Sequence, residues 1–146
     1  MEKNIRVVLK VQQTEIIGTN KAINTQIHRE NGGKIMYTNF KELHKAYGFE
    51  NGNRTRDNLS YEEEKSFVND CFETYEHIGF AETFGTQYTG EKHLVGKKFT
   101  VLGRVKELSE DINGADLECL PMWNIRFEDG FEMAAYPEEI CLAERQ

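Results

Sequence analysis

The chain has 146 residues, 38% of them hydrophobic and 11% aromatic, with nine Phe and six Tyr. That is enough apolar volume for a core in one compact domain, and it excludes a disordered chain. Twenty-five acidic residues against 18 basic ones leave a net charge of −7. This argues against duplex DNA or RNA as a partner, because that affinity comes from basic side chains meeting phosphates; a small anion needs only a few placed arginines.

Ile5, Val7, Leu9 and Val11 alternate with Arg6, Lys10 and Gln12, predicting a strand over 4–12, with Val8 making its second face partly apolar. Ile16 and Ile17 fit either a second strand or a helix start. Thr19 caps a predicted short helix in which Ala22, Ile23, Gln26 and Ile27 share a face, ended by Asn31-Gly32-Gly33. Lys34-Ile35-Met36-Tyr37 reads as a strand. Asn39 followed by Glu42 has the spacing of a capping box, and Phe40, Leu43, Ala46 and Tyr47 form a helical stripe that stops at Gly48. The Gly- and Asn-rich stretch 48–58 is a loop. Ser60 and Glu63 repeat the capping pattern; Phe67, Val68, Cys71, Phe72 and Tyr75 then predict an amphipathic helix over 61–78, closed by Gly79.

Beyond it Phe80, Phe84 and Tyr88 sit among Gly85 and Gly90, and Phe99, Val101 and Val105 predict a strand across 97–107. Residues 109–120 form a long loop. Trp123, Ile125 and Phe127, then Phe131, Met133 and Ala135, alternate on either side of Asp129-Gly130, so this is a hairpin with one buried face. A two-residue turn would set Phe127 beside Glu132. A three-residue Glu128-Asp129-Gly130 loop, with left-handed Gly130 in a G1 bulge, pairs Phe127 with Phe131, Ile125 with Met133 and Trp123 with Ala135. A one-residue slip would turn apolar side chains outward, so the three-residue loop is expected. Tyr136-Pro137-Glu138-Glu139-Ile140 then predicts a short turn into a last edge strand.

The order strand, long loop, hairpin, turn and strand points to an SH3-like unit. The expected fold class is α+β: N-terminal strands and one long amphipathic helix packed with a C-terminal SH3-like antiparallel β unit. One domain over 1–146 is expected, with a mixed part (1–90) and a β part (91–146). No apolar run approaches a membrane span, and Met1-Glu2-Lys3-Asn4 lacks the apolar region of a secretory signal; a cytoplasmic protein is expected. Cys71, Cys119 and Cys141 are odd in number and have no Cys-x-x-Cys, so buried free thiols are expected.

Glu73 and His77 have helical i,i+4 spacing, but no third metal ligand is suggested nearby, and a surface pair is expected. There is no Gly-x-Ser-x-Gly elbow, no Gly-x-Gly-x-x-Gly turn and no P-loop, so neither an enzyme nor a cofactor or metal is expected. Arg54 and Arg56 precede a helix N-terminus, where backbone amides and guanidinium forks make an anion cradle. The simpler expectation is that these arginines pair with Glu62 to Glu64. Arg104 lies on a strand beside Gly103, which allows close approach by a ligand or another chain. Phe80 and Phe84 are expected by default to pack in the core, and stacking on a base is the other reading.

The order of elements, with Met122-Trp123-Asn124-Ile125-Arg126-Phe127-Glu128-Asp129-Gly130 and Tyr136-Pro137-Glu138-Glu139-Ile140 at its end, resembles the Thoeris anti-defence sponge family of phage proteins. That resemblance implies non-catalytic sequestration of a cyclic ADP-ribose-type immune signal by a homo-oligomer in the host cytoplasm. It also implies nucleotide pockets between protomers, with Phe80 or Phe84 stacking on the adenine and Arg56 and Arg104 holding phosphates. His28 and Arg29 become a possible second anion site about a symmetry axis. Two other readings stand beside it. One is an SH3-like interaction module that binds a host protein through a groove near Trp123, Phe131 and Tyr136. The other is an acidic nucleic-acid mimic.

Overall fold

The computed structural model describes residues 28–30 and 34–145. The predicted strand over 4–12, the Ile16-Ile17 segment and the predicted helix as far as Ile27 lie outside the described residues. The chain divides into two compact units, Met1–Thr74 and Tyr75–Gln146.

In the first unit, β1 (His28–Glu30) pairs antiparallel with β2 (Lys34–Met36), His28 opposite Met36 and Glu30 opposite Lys34. The β2 prediction holds. The helix expected to run to Asn31-Gly32-Gly33 is corrected at its end, because residues 28–30 are strand. Helix α1 (Phe40–Ala46) starts where expected, with the Glu42 N–H donating to Asn39 Oδ1 at 2.9 Å. The Glu42 carboxylate accepts from Thr38 Oγ1 at 3.2 Å. Helix α2 (Tyr61–Ile78) has a full reciprocal box: the Glu63 N–H donates to Ser60 Oγ at 3.2 Å and the Ser60 N–H to Glu63 Oε1 at 2.9 Å. Such a box satisfies two amides that would otherwise lack partners. The last turn of α2 lies in the second unit. There the Gly79 N–H bonds the Tyr75 carbonyl at 2.9 Å, and Gly79 takes φ +113°, a left-handed stop open to glycine.

The first unit's core holds Tyr37, Leu43, Phe67, Val68, Cys71 and Phe72. Tyr47 and Phe49 meet the Phe67 ring edge-on at 5.1 and 5.4 Å. Glu73, expected on the surface, is buried. Between the helices, the expected loop contains one 3-10 turn, Arg56–Asn58.

The second unit is built on a three-stranded antiparallel sheet, β3 (Phe99–Arg104), β4 (Trp123–Phe127) and β5 (Glu132–Ala135), in that order. Trp123 faces Ala135 and Ile125 faces Met133, as the apolar alternation requires. The Phe127 N–H donates to the Phe131 carbonyl at 2.8 Å and the Gly130 N–H to the Phe127 carbonyl at 2.9 Å, with Gly130 at φ +95°. This is the three-residue loop of the sequence reading. Trp123, Ile125, Phe127 and Ala135 are buried, and each large apolar side chain so removed from water contributes about 1.5–3 kcal/mol.

Three expectations in this unit change. The strand across 97–107 shortens to six residues, and its pairing with β4 shifts register between Val101 and Gly103. The 109–120 loop is closed at its base: the Leu108 N–H donates to the Ala115 carbonyl at 2.8 Å and the Ala115 N–H to the Lys106 carbonyl at 3.0 Å. The short turn expected over 136–140 closes as helix α3 (Pro137–Ile140), with proline in its first turn and the Tyr136 N–H held by Glu139 Oε1 at 2.9 Å. The last edge strand expected after it is reduced to an isolated bridge of Cys141 to Phe80, flanked by Ala81 N–H to Ile140 carbonyl at 2.7 Å and Leu142 N–H to Gly79 carbonyl at 3.0 Å, and a 3-10 turn, Leu142–Arg145, follows. A 3-10 turn, Thr89–Leu94, occupies a stretch read from sequence only as Gly-containing.

The fold class is therefore α+β. No helix among the described residues is long and apolar enough to cross a membrane.

Candidate functional site

Three elements of the second unit bring their ends together. The bulge at Gly103 precedes Arg104, which stands opposite Trp123 in the β3–β4 register. Glu76, on the last turn of α2, reaches both. Its Oε2 accepts from Arg104 Nε at 2.9 Å and from Trp123 Nε1 at 2.9 Å, while Oε1 accepts from Arg104 Nη2 at 2.6 Å. The guanidinium is thus gripped as a fork by one carboxylate. Tyr75 and Phe80 both stand edge-on to the Trp123 indole, with ring centroids 5.8 and 5.4 Å away. Trp123 is 1% exposed, whereas the Arg104 and Glu76 side chains remain 36% and 32% exposed. The result is a charged pair at the surface, anchored to a buried indole and beside the half-buried Phe80 ring.

Phe84 sits elsewhere. It is 1% exposed and packs edge-on against Phe127 at 5.4 Å, which makes it core and leaves Phe80 as the phenylalanine with an accessible face. Trp123 is likewise core. Phe131, half exposed, stacks on Phe127 at 6.1 Å, and exposed Tyr88 lies 6.4 Å from Tyr136.

In the first unit Arg54 and Arg56 take the simpler of their two expected roles. Arg54 Nη2 donates to Glu63 Oε2 at 2.8 Å and Nη1 to the Tyr47 carbonyl at 3.4 Å. Arg56 Nε donates to Glu64 Oε2 at 2.9 Å, and its guanidinium lies 5.6 Å from the centre of the Phe67 ring. Both tie the 48–58 loop to the acidic first turn of α2. His28 and Arg29 occupy β1. The structure joins Phe80 with Arg104 in one unit and Arg54 with Arg56 in the other.

Titratable groups show where burial dominates. The Cys71 and Cys141 thiols are pushed up to about 12, chiefly by burial, so both stay protonated and unreactive. Cys119 is exposed, contrary to expectation. The Tyr47 phenol is raised well above its ordinary value by burial and then by Asp70, whose Oδ2 accepts a hydrogen bond from the Tyr47 hydroxyl at 2.7 Å. Among the described residues no group of three His, Cys, Asp or Glu is placed to hold a metal ion. A shallow concavity of about 440 Å³ runs past Lys97, Lys98, Glu128 and Asp129. Its charges oppose one another, and it contains none of the residues expected to bind ligand.

Glu76 and Tyr75 were missed by sequence reasoning, and no local signal marks them: Glu76 meets partners 28 and 47 positions away. No family model matches the chain, nor does any curated protein or solved structure.

Proposed function

We propose that this protein binds a small anionic nucleotide without altering it and withholds it from its receptor, as a phage anti-defence sponge for a cyclic ADP-ribose-type signal. The observation that carries the reading is the Arg104 fork, a third exposed, held rigid by Glu76 next to Phe80 and the Trp123 indole. Such a pairing of guanidinium and aromatic face offers phosphate and base a contact each. A phosphate arriving there exchanges with, or adds to, the Glu76 carboxylate. Arg56 supplies a further phosphate contact in the assembled homo-oligomer, and its bond to Glu64 is the one given up. Phe84 has no part in this reading. We read the β3–β5 sheet with its closing turns as an SH3-like unit.

The test is a thermal-shift screen against cyclic mono-, di- and trinucleotides and cyclic ADP-ribose, since a ligand of the native state raises Tm. The hit is then titrated by calorimetry. Arg104→Ala and Arg56→Ala should each weaken binding by about 2–3 kcal/mol if the lost contacts are charge-assisted. Ligand should return intact after heat denaturation of the complex. Unchanged affinity in both variants removes these arginines from the site, and recovery of a cleaved product makes the protein an enzyme.

A second reading, an interaction module, draws on exposed Phe131 and Tyr88. Phe131→Ala is its test variant, because Trp123 is core. Loss of a captured host protein on Phe131→Ala, with no nucleotide bound by the purified chain, favours the module.

A further inference from the structure

Glu139 is a carboxyl with only 1% of its surface exposed. Thr86 Oγ1 donates to its Oε2 at 2.7 Å, and the Tyr136 N–H to its Oε1 at 2.9 Å. Its main-chain carbonyl accepts from Arg145 Nη2 at 2.7 Å and from the Gly85 N–H at 3.0 Å. The 3-10 turn Thr89–Leu94, which carries Glu91, starts against the same groups: the Tyr88 N–H donates to Thr86 Oγ1 at 3.1 Å and the Tyr88 ring lies 6.4 Å from that of Tyr136, which brings the Glu91 carboxyl under the influence of Glu139. Glu91 Oε1 is shut off from solvent and meets no donor among the described residues. Two ionised carboxyls brought face to face repel, and both oxygens only accept; a proton between them removes both penalties.

We propose that Glu91 and Glu139 share one proton, and that this acid pair latches the Thr89–Leu94 turn onto α3 until the proton is lost. The groups facing it are few. His93, on the same turn, favours the ionised form of Glu91 and opposes the latch. From α3, Glu138 and Glu139 add negative charge around the Tyr136 phenol, which Tyr88 and Cys119 also face. Arg145 lies against the Glu139 carbonyl. Partial burial, and then the Glu139 charge, raise the Glu91 carboxyl above the ordinary glutamate range. An acid raised in the folded state contributes stability that is complete below its unfolded value and disappears as pH rises through the folded one. The latch is therefore closed in acid and opens toward alkaline pH.

Hydrogen exchange reads this directly. The Glu91 N–H donates to the Tyr88 carbonyl at 3.1 Å and the Val95 N–H to the Lys92 carbonyl at 3.2 Å, so both amides report closure of the turn. After correction for intrinsic exchange, their protection should fall by up to about tenfold per pH unit through the titration, the limit for one proton. The β4 amides should not change. In Glu91→Gln the amide donates to Glu139 at every pH, so protection should be flat. The Glu91 carboxyl carbon, followed by NMR in the unmutated chain, should titrate above the ordinary glutamate range. Protection independent of pH in the unmutated chain, an unchanged pH dependence in Glu91→Gln, or the Glu91 carboxyl titrating at the ordinary value would each overturn the proposal.

Discussion

Removing the Glu76 side chain isolates the centre of the candidate site. Glu76→Ala deletes one carboxylate that accepts three bonds, two from Arg104 and one from Trp123. The Arg104 pair is about a third exposed on each side, so it contributes at most about 1 kcal/mol. The Trp123 N–H is different, because its side chain is 1% exposed and stranding such a donor costs about 1–3 kcal/mol. The sum is a loss of about 1–4 kcal/mol, against about ±0.5 for an ordinary surface substitution. Urea unfolding followed by circular dichroism measures it. The same change made in a Trp123→Phe background, where there is no N–H to strand, should cost only about 1 kcal/mol, the Arg104 share. A loss below about 0.5 kcal/mol, or equal losses in both backgrounds, refutes the assignment of Glu76 as the acceptor that fixes the indole. Trp123 is the chain's one tryptophan, so its fluorescence should also respond to Glu76→Ala without ambiguity of origin.

Three glycines give a graded test of the second unit. Gly90→Ala meets open space at ordinary φ and should gain about 0.4–1 kcal/mol through the unfolded chain. Gly130→Ala has space but sits at φ +95° and should lose about 1–2 kcal/mol. Gly114→Ala drives a Cβ into the Lys106 and Asp111 carbonyl oxygens and should lose about 1–3 kcal/mol; urea midpoints rank all three. In the first unit, Arg54→Ala should cost less than about 1 kcal/mol because the Arg54 and Glu63 side chains are 38% and 46% exposed. Arg56→Ala, less exposed and set over Phe67, should cost more, and chemical denaturation orders the two. Glu63 is held below its ordinary value by the Ser60 N–H and then by Arg54. Its contribution is present above the ordinary glutamate range and lost as pH falls through the lowered folded value. Ser60→Ala, which removes the cap hydroxyl, should cost about 1 kcal/mol at neutral pH, with the gap to the unmutated chain read from acid titrations of Tm.

The amino-acid order by itself determined what depends on near neighbours. Ser60 and Glu63 capped α2 where their spacing said, Gly79 ended it, and the alternation from Trp123 to Ala135 fixed a hairpin register that a one-residue slip would have turned inside out. Each rests on a hydrogen bond or a periodicity spanning a few residues. Tertiary structure decided the rest. Tyr136 to Ile140 has a helix-starting proline and a capping glutamate, and in α3 Glu139 is buried and accepts from Thr86, 53 positions away. Whether Phe80 or Phe84 kept an accessible face depended on which ring Phe127 covered. The Arg104–Glu76–Trp123 cluster joins three elements distant in sequence, and a contact of that kind leaves no periodic trace along the chain. Its carboxylate is chosen by the fold, because a desolvated indole N–H needs an acceptor wherever packing delivers one.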